Sequence, residues 1–175
     1  MAKKPEMEFL EPKLIQMEPQ KMAVVTTKGD PNLVSGNAFK ALYGAVYKLK
    51  FELKKVGVEY KVLPVRARWP DAHLVDKTLW TGIWAIPVPE NTNSLVQKVP
   101  EVEVRLEMWT YGLVAQILHI GPFSTEGPTV DRLYQFITDH GYMISGTHEE
   151  HYLTRMDAAE MRTLIRYPVE LKDQS

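Results

Sequence analysis

Two stretches of helical period stand out along the chain, each framed by short β-prone runs. In the first, residues 36–56, the apolar positions Phe39, Leu42, Tyr43, Val46, Leu49 and Leu53 recur three and four apart, and only Lys50 interrupts the stripe. Lys40, Lys48, Glu52 and Lys55 fall on the far side. The spacing predicts a helix with Ser35 as N-cap and Gly57 as its left-handed stop. In the second stretch Val130, Leu133, Tyr134 and Ile137 form the stripe of a shorter helix. It opens at Pro128, carries His140 near its C-terminal dipole, and stops at Gly141.

Between these lie runs that read as strands. Residues 13–27 are apolar and β-prone in two pieces split by Pro19, which cannot sit inside a central ladder. Gly29-Asp30-Pro31-Asn32 is a turn. Residues 58–69 predict a strand bent at Pro64, residues 70–77 a polar loop, and residues 79–88 a strand in which Trp80 and Trp84 share a face. Residues 90–100 hold one helical turn and the boundary between halves. The second half predicts strands over residues 102–109, 113–120, 142–155 and 163–169, with a helical turn over 157–162 and a polar tail from Leu171.

Both halves therefore read strand, helix, strand, strand. The expectation is a single α+β domain over residues 1–175, with a first repeat over about 12–89 and a second over about 101–170. Two such units predict a curved, mainly antiparallel sheet with both helices on one face and a ligand groove on the other. Nine residues beyond Gly57 stands Arg66, and nine beyond Gly141 stands Glu150.

The candidate chemistry centres on His148-Glu149-Glu150-His151-Tyr152. In a strand, His148, Glu150 and Tyr152 share one face while Glu149 and His151 share the other. A carboxylate among aromatic rings attracts a lipophilic cation, and the same surroundings can raise its pKa and make it a general base for water. Trp69, Trp84, Tyr152 and, more weakly, Tyr111 are candidate stacking surfaces. Arg66 and Arg68 share a strand face, where Arg66 is a candidate anion holder or counter-charge to Glu150. No metal site is expected, because nothing in the spacing of His119, His148 and Glu150 makes three ligands converge. The run from Gly121 to Gly127 lacks the lysine and glycine spacing of a phosphate loop, and no serine sits in a nucleophile elbow.

Composition narrows the picture by exclusion. At 175 residues, 45% hydrophobic, the chain can bury a sizeable core. A net charge of -1 gives no general attraction to nucleic acid or anionic membrane, so neither is an expected partner. No apolar run is long enough for a membrane span, and the charged N-terminus does not read as a signal peptide. The absence of cysteine excludes disulfides, thiolate catalysis and thiolate metal sites, and points the expectation to a reducing cytoplasm.

Several of these segments together carry a resemblance. They are Lys28-Gly29-Asp30-Pro31-Asn32, Ala41-Leu42-Tyr43 and Leu49-Lys50-Phe51 in the first half. In the second half they are Ala115-Gln116-Ile117-Leu118-His119-Ile120-Gly121-Pro122-Phe123, Glu126-Gly127-Pro128-Thr129, Gly141-Tyr142, His148 to Leu153, and Ile165-Arg166-Tyr167-Pro168-Val169. In this order they resemble the GyrI-like small-molecule-binding domains, also known as the effector-binding domain of AraC-type and related regulators. The resemblance implies the tandem strand-helix-strand-strand fold. It also implies a central groove for hydrophobic, often cationic compounds with an acidic residue inside.

The family's acid matches Glu150, and its tyrosine two residues on matches Tyr152. Some stand-alone members resemble cofactor-free hydrolases that open the strained cyclopropane of DNA-alkylating compounds, and others are inhibitors of DNA gyrase. For this chain the resemblance implies binding of such compounds first. A hydrolase in which Glu150 activates water and Tyr152 polarises the ligand is the alternative, and a protein-interaction role with an unknown partner is a third reading. No cofactor and no DNA-binding helix-turn-helix are expected with the domain. Where related stand-alone members read Leu-Glu-Gly-Leu-Trp-Trp, this chain reads Val65-Arg66-Ala67-Arg68-Trp69-Pro70. Trp69 is kept, but Arg66 replaces the acid and Ala67 the glycine.

Overall fold

The computed structural model describes residues 4–173. In chain order the elements are β1 (Lys13–Met17), β2 (Gln20–Lys28), α1 (Pro31–Lys55), β3 (Arg66–Arg68), β4 (Thr81–Pro87), β5 (Arg105–Trp109), β6 (Gly112–Ile120), α2 (Gly127–Asp139), β7 (Tyr142–Ile144), β8 (Glu149–Tyr152) and β9 (Arg162–Leu171). Short 3-10 turns occupy Pro5–Leu10, Lys77–Leu79 and Phe123–Thr125. The chain is α+β, and it forms two compact units: Pro19–Thr110, and the residues up to Glu18 together with those from Tyr111 onward.

In the unit of Pro19–Thr110 the strands run β3-β4-β2-β5, all pairings antiparallel, with α1 against β2 and β4. In the other unit they run β8-β9-β6-β1, again antiparallel, with β7 on the far end of β9 and α2 against β6 and β7. The predicted strand-helix-strand-strand repeat is therefore present twice, as β2-α1-β3-β4 and β6-α2-β8-β9.

The boundaries differ from the sequence expectation. The strand ahead of each motif pairs with the other motif: β1 joins β6, and β5 joins β2. Pro19 offers no N–H and breaks the run into β1 and β2. Gly112, at φ +68, turns the chain between β5 and β6.

Helix α1 starts five residues before the predicted Gly36. Asp30 accepts a hydrogen bond from the Asn32 amide at 2.9 Å, and Pro31 fills the first turn, where no amide partner is needed. Ser35 and Gly36 lie inside the helix. At the other end Gly57, at φ +79, and Val58 donate to the carbonyls of Lys54 and Leu53, which completes the stop. The fully buried face is Ala38, Ala41, Leu42, Ala45 and Val46, so the stripe is rotated toward small residues that let the helix approach the sheet. Phe39 and Tyr43 flank it half-buried.

Elsewhere, only Arg66–Arg68 of the predicted 58–69 strand pairs, beyond the break at Pro64. The predicted strand over 142–155 is two short strands, β7 and β8, separated by residues 145–148, and both pair with β9. Residues 90–100 and 157–161 form turns without a helix.

The α2 unit closes around Ala115, Ile117, Leu133, Ile137, Ile165, Tyr167 and Val169. Leu133 is fully enclosed, and its loss to alanine is worth about 2–5 kcal/mol by the usual cost of such cavities. Among the described residues no helix is long and apolar enough to cross a membrane.

In the α1 unit Ala23, Val25, Trp84 and Ile86 are buried on the sheet face toward α1, with Leu42 buried on the helix, while Met22 and Val24 are buried on the other face. There Trp69, Trp80 and Trp84 cluster, with Trp69 centred 5.7 Å from Trp80 and 5.0 Å from Trp84. A methyl group on Gly82 would meet Thr27 Oγ1 at 2.7 Å, Trp84 Nε1 at 2.9 Å and the Trp69 ring at 3.0 Å. It would also break the 3.1 Å bond from Trp84 Nε1 to Thr27 Oγ1. Gly82→Ala is expected to cost about 1–3 kcal/mol, read as a lower urea midpoint with an altered tryptophan emission. An unchanged midpoint would show that this packing has slack.

Candidate functional site

Strand β8 sets the chemistry. Glu149 lies opposite Arg166, Glu150 opposite Ile165, His151 opposite Leu164, and Tyr152 opposite Thr163. Directly opposed residues share a face. Glu150 and Tyr152 thus stand with Ile165, which packs with Leu133 and Ile137 of α2. This is the face that carries α2, not the one away from it, because the register with β9 aligns the acid with the helix core. Glu149 and His151 take the other face, as the alternation predicts.

On the α2 face the Tyr152 hydroxyl donates to Glu150 Oε2 at 2.5 Å, and both side chains are buried. Phe123 packs edge-on against Tyr152 at 5.5 Å between ring centres. Tyr167 lies nearby, its hydroxyl 2.9 Å from that of Tyr134, and its phenol pKa is raised by burial, then by Tyr134 and the neighbouring carboxyls. His148, which precedes β8 rather than lying in it, stacks on Tyr167 at 5.5 Å.

Glu126, at the entry to α2, completes the group. Its carboxyl lies within hydrogen-bonding reach of Glu150, and its pKa is pushed up to about 8 by burial first and by the Glu150 charge second. A helix N-terminus favours the ionised form, so here burial and like charge outweigh the dipole.

The other face of β8 holds a closed network. Glu149 and Arg166 are 2% and 3% exposed and form an ion pair at 3.1 Å. The Tyr111 hydroxyl donates to both Glu149 oxygens, at 3.1 and 3.0 Å. Arg166 also donates to His151 Nδ1 at 3.1 Å, which places the imidazole proton on Nε2 in the neutral ring. Tyr111, a predicted stacking residue, is thus the partner of Glu149 rather than of Glu150.

In the α1 unit the predicted residues also divide. Trp84 and Ala67 are register partners and face α1, where Phe39 meets Trp84 at 4.8 Å. The rings continue as a row, Tyr47, Tyr43, Phe39, Trp84, Trp69 and Trp80, with centres 4.8 to 6.3 Å apart. Arg66 and Arg68 share the face away from α1, paired with Ala85 and Ile83. Arg66 is buried there, and Arg68 lies over Trp109 at 3.6 Å. Facing matches Glu150 with Ala67 and Tyr152 with Trp69, so the nine-residue count that equates Arg66 with Glu150 is one position out. Among the described residues no three His, Asp or Glu side chains converge as a metal ion requires.

Sequence reasoning missed Glu126, Phe123 and Tyr167. Glu126 reads as part of a turn, and its side chain makes no cap bond to its own helix, so only the fold shows that it points inward. The Glu149–Arg166 pair had a signal only in Arg166, a charge inside the run from Leu164 to Val169, and the register was needed to join it to Glu149.

The raised pKa of Glu126 has a stability consequence. The folded state holds this proton more tightly than the unfolded chain, so its contribution is present at low pH and is lost as pH rises from about 4.5 to about 8. Glu126→Gln, which mimics the protonated acid, is expected to raise stability at pH 8 by about 1–2 kcal/mol and to leave it unchanged near pH 4, measured by urea unfolding. An equal effect at both pH values would show that the carboxyl is not perturbed.

The family profile of the GyrI-like small molecule binding domain matches residues 10–170. Among solved structures the chain is similar to a hydrolase from Listeria innocua, at 25% identity and TM-score 0.79 over 92% of both chains. It is similar to a conserved protein from the same organism at 24% identity and TM-score 0.80, over 92% of this chain and 93% of that one. The C-terminal domain of EcmrR shares the fold at 14% identity and TM-score 0.59, over 93% of this chain and 98% of that one. No curated protein matches the chain. With the repeat, its two helices and the extent of the match all in agreement, the chain belongs to the GyrI-like family of small-molecule-binding domains.

Proposed function

We propose that this protein binds hydrophobic, cationic small molecules, with Glu150 as the counter-charge and Tyr152 as its orienting partner. The observation that carries this reading is the buried Glu150 carboxyl, held by Tyr152 at 2.5 Å within a wall of Phe123, Tyr167 and His148. A carboxylate so placed attracts a cation strongly, while the rings exclude water and offer π-faces. The aromatic row containing Trp69 and Trp84 is proposed as a stacking surface for flat ligands. Arg66 and Tyr111 face away from their units' helices and are assigned no contact with the ligand in this reading.

A second reading is a cofactor-free hydrolase of cyclopropane-bearing or other electrophilic compounds. Two observations favour it: the short Tyr152–Glu150 bond, and the likeness to the Listeria innocua hydrolase. In this reading the water oxygen attacks the electrophilic ring carbon as Glu150 takes the water's proton; the ring C–C bond breaks, its electron pair passes into the attached acceptor group that Tyr152 polarises, and the proton on Glu150 then returns to that group.

Titration of a lipophilic cationic dye, followed by fluorescence, tests the binding reading. Wild type is expected to bind in the micromolar range and Glu150→Gln to lose about tenfold or more, about 1.4 kcal/mol. Equal binding by the variant would end Glu150's role as counter-charge. Glu149→Gln provides the contrast: it strips Arg166 of its buried partner and should cost about 3–5 kcal/mol of stability, seen as a lowered melting temperature. Turnover of a cyclopropane-bearing alkylator, abolished by Glu150→Gln and by Tyr152→Phe, would establish the hydrolase. Absence of turnover with intact dye binding would exclude it for that substrate.

A further inference from the structure

We infer that Glu126 is the second acid of the Glu150 site and that the two carboxyls exchange a shared proton for a bound cation. This rests on the reading of Glu150 as the ligand's counter-charge.

The geometry begins with the segment that carries Glu126. It leaves β6 at Gly121, passes through the Phe123–Thr125 turn, and enters α2 at Gly127. His119 pins both ends: one ring nitrogen, Nε2, donates to the Pro122 carbonyl at 3.0 Å, and Nδ1 meets Thr129 Oγ1 at 2.8 Å. Thr125 Oγ1 donates to the same carbonyl at 2.9 Å. Glu126 therefore sits on a short bridge with both abutments fixed. Phe123, three residues earlier on that bridge, packs on Tyr152, the residue that holds Glu150. The bridge and β8 thus bring one carboxyl each to the same place.

Glu126 does not spend its side chain on capping α2. Its Oε2 is buried and makes no hydrogen bond among the described residues. An acceptor so enclosed costs free energy unless a proton or a cation meets it. The charged and titratable groups that act on it are Glu150 from β8 and Tyr167 from β9. Tyr152 holds Glu150, while Tyr134 and His148 meet Tyr167. Tyr167 is held neutral by burial through the physiological range. The two carboxyls are the pair that repel when both ionise, and burial together with the Glu150 charge raises the pKa of Glu126.

Two acids that share a proton carry one negative charge between them. A monocation placed against them offsets the second charge, so the proton leaves as the ligand enters. Affinity for a cation then rises with pH through the range in which Glu126 titrates, near 8, while a neutral ligand of the same shape gains nothing. The arrangement selects for charge as well as for apolar surface.

Calorimetric titration with tetraphenylphosphonium, a cation with no proton of its own, tests this in buffers of differing ionisation enthalpy. Wild type at pH 7 is expected to release about one proton per ligand, and its Kd to tighten by up to about tenfold per pH unit from about 6 to about 8, then level off. Glu126→Gln is expected to bind with a flat pH profile and no proton release. Glu150-dependent binding by wild type without proton release would overturn the inference and leave the binding reading standing. Binding indifferent to Glu150→Gln would overturn both. If the probe does not bind, carbon-13 NMR titration of the glutamate carboxyls in the free protein decides. A step near pH 8 that is lost in Glu126→Gln and in Glu150→Gln supports the shared proton, whereas titration of both acids in the ordinary carboxylate range overturns it.

Discussion

Neighbouring residues of an extended strand point to opposite faces, and the adjacent acids of β8 live under that constraint. Pairing with β9 sends Glu149 to one side and Glu150 to the other. Both are buried, and a buried carboxylate needs compensation. Glu149 receives it in full from Arg166 and the Tyr111 hydroxyl, and it becomes part of the framework. Glu150 receives a phenol hydroxyl and a second acid. A slip of one residue in this register would exchange the two environments and place Glu150 against an arginine.

That division leaves a site with an unbalanced charge on a rigid support. The Glu149–Arg166 pair ties β8 to β9, and the core under α2 fixes the opposite side of the same strands. The bridge from β6 to α2, pinned by His119, presents Phe123 and Glu126 to β8. On one face of β8 the acid is paired with an arginine, and on the other Glu150 meets a second carboxyl. The α1 unit repeats the scaffold without repeating the charge. Ala67 and Trp69 stand where Glu150 and Tyr152 stand in the other unit, so that unit offers a row of rings and no acid on its helix face.

The residues of β8 and their alternation were legible in the sequence, because period-2 facing depends only on local extended geometry. The repeat was legible for the same kind of reason: two helical stripes and their glycine stops are local signals. The start of α1 was misplaced because Ser35 is a good cap by type, whereas Asp30-Pro31 is a better one by geometry. The exchange of β1 and β5 between motifs was not legible. A strand's hydrogen-bonding partner is chosen by packing across tens of residues: β1 pairs with β6, about a hundred residues away.

Glu126 marks the limit most sharply. Its place in a turn and at the head of a helix follows from Gly127 and Pro128, and both signals are local. Its inward direction, its burial and its encounter with Glu150 depend on how β6, α2 and β8 pack, which no window of sequence contains. The chain itself thus specified the family, the two motifs and the facing of the acids on β8, since these rest on local propensity and period. Tertiary structure alone decided which acid is neutralised and which finds a second carboxyl, because electrostatics and burial act between residues distant along the chain.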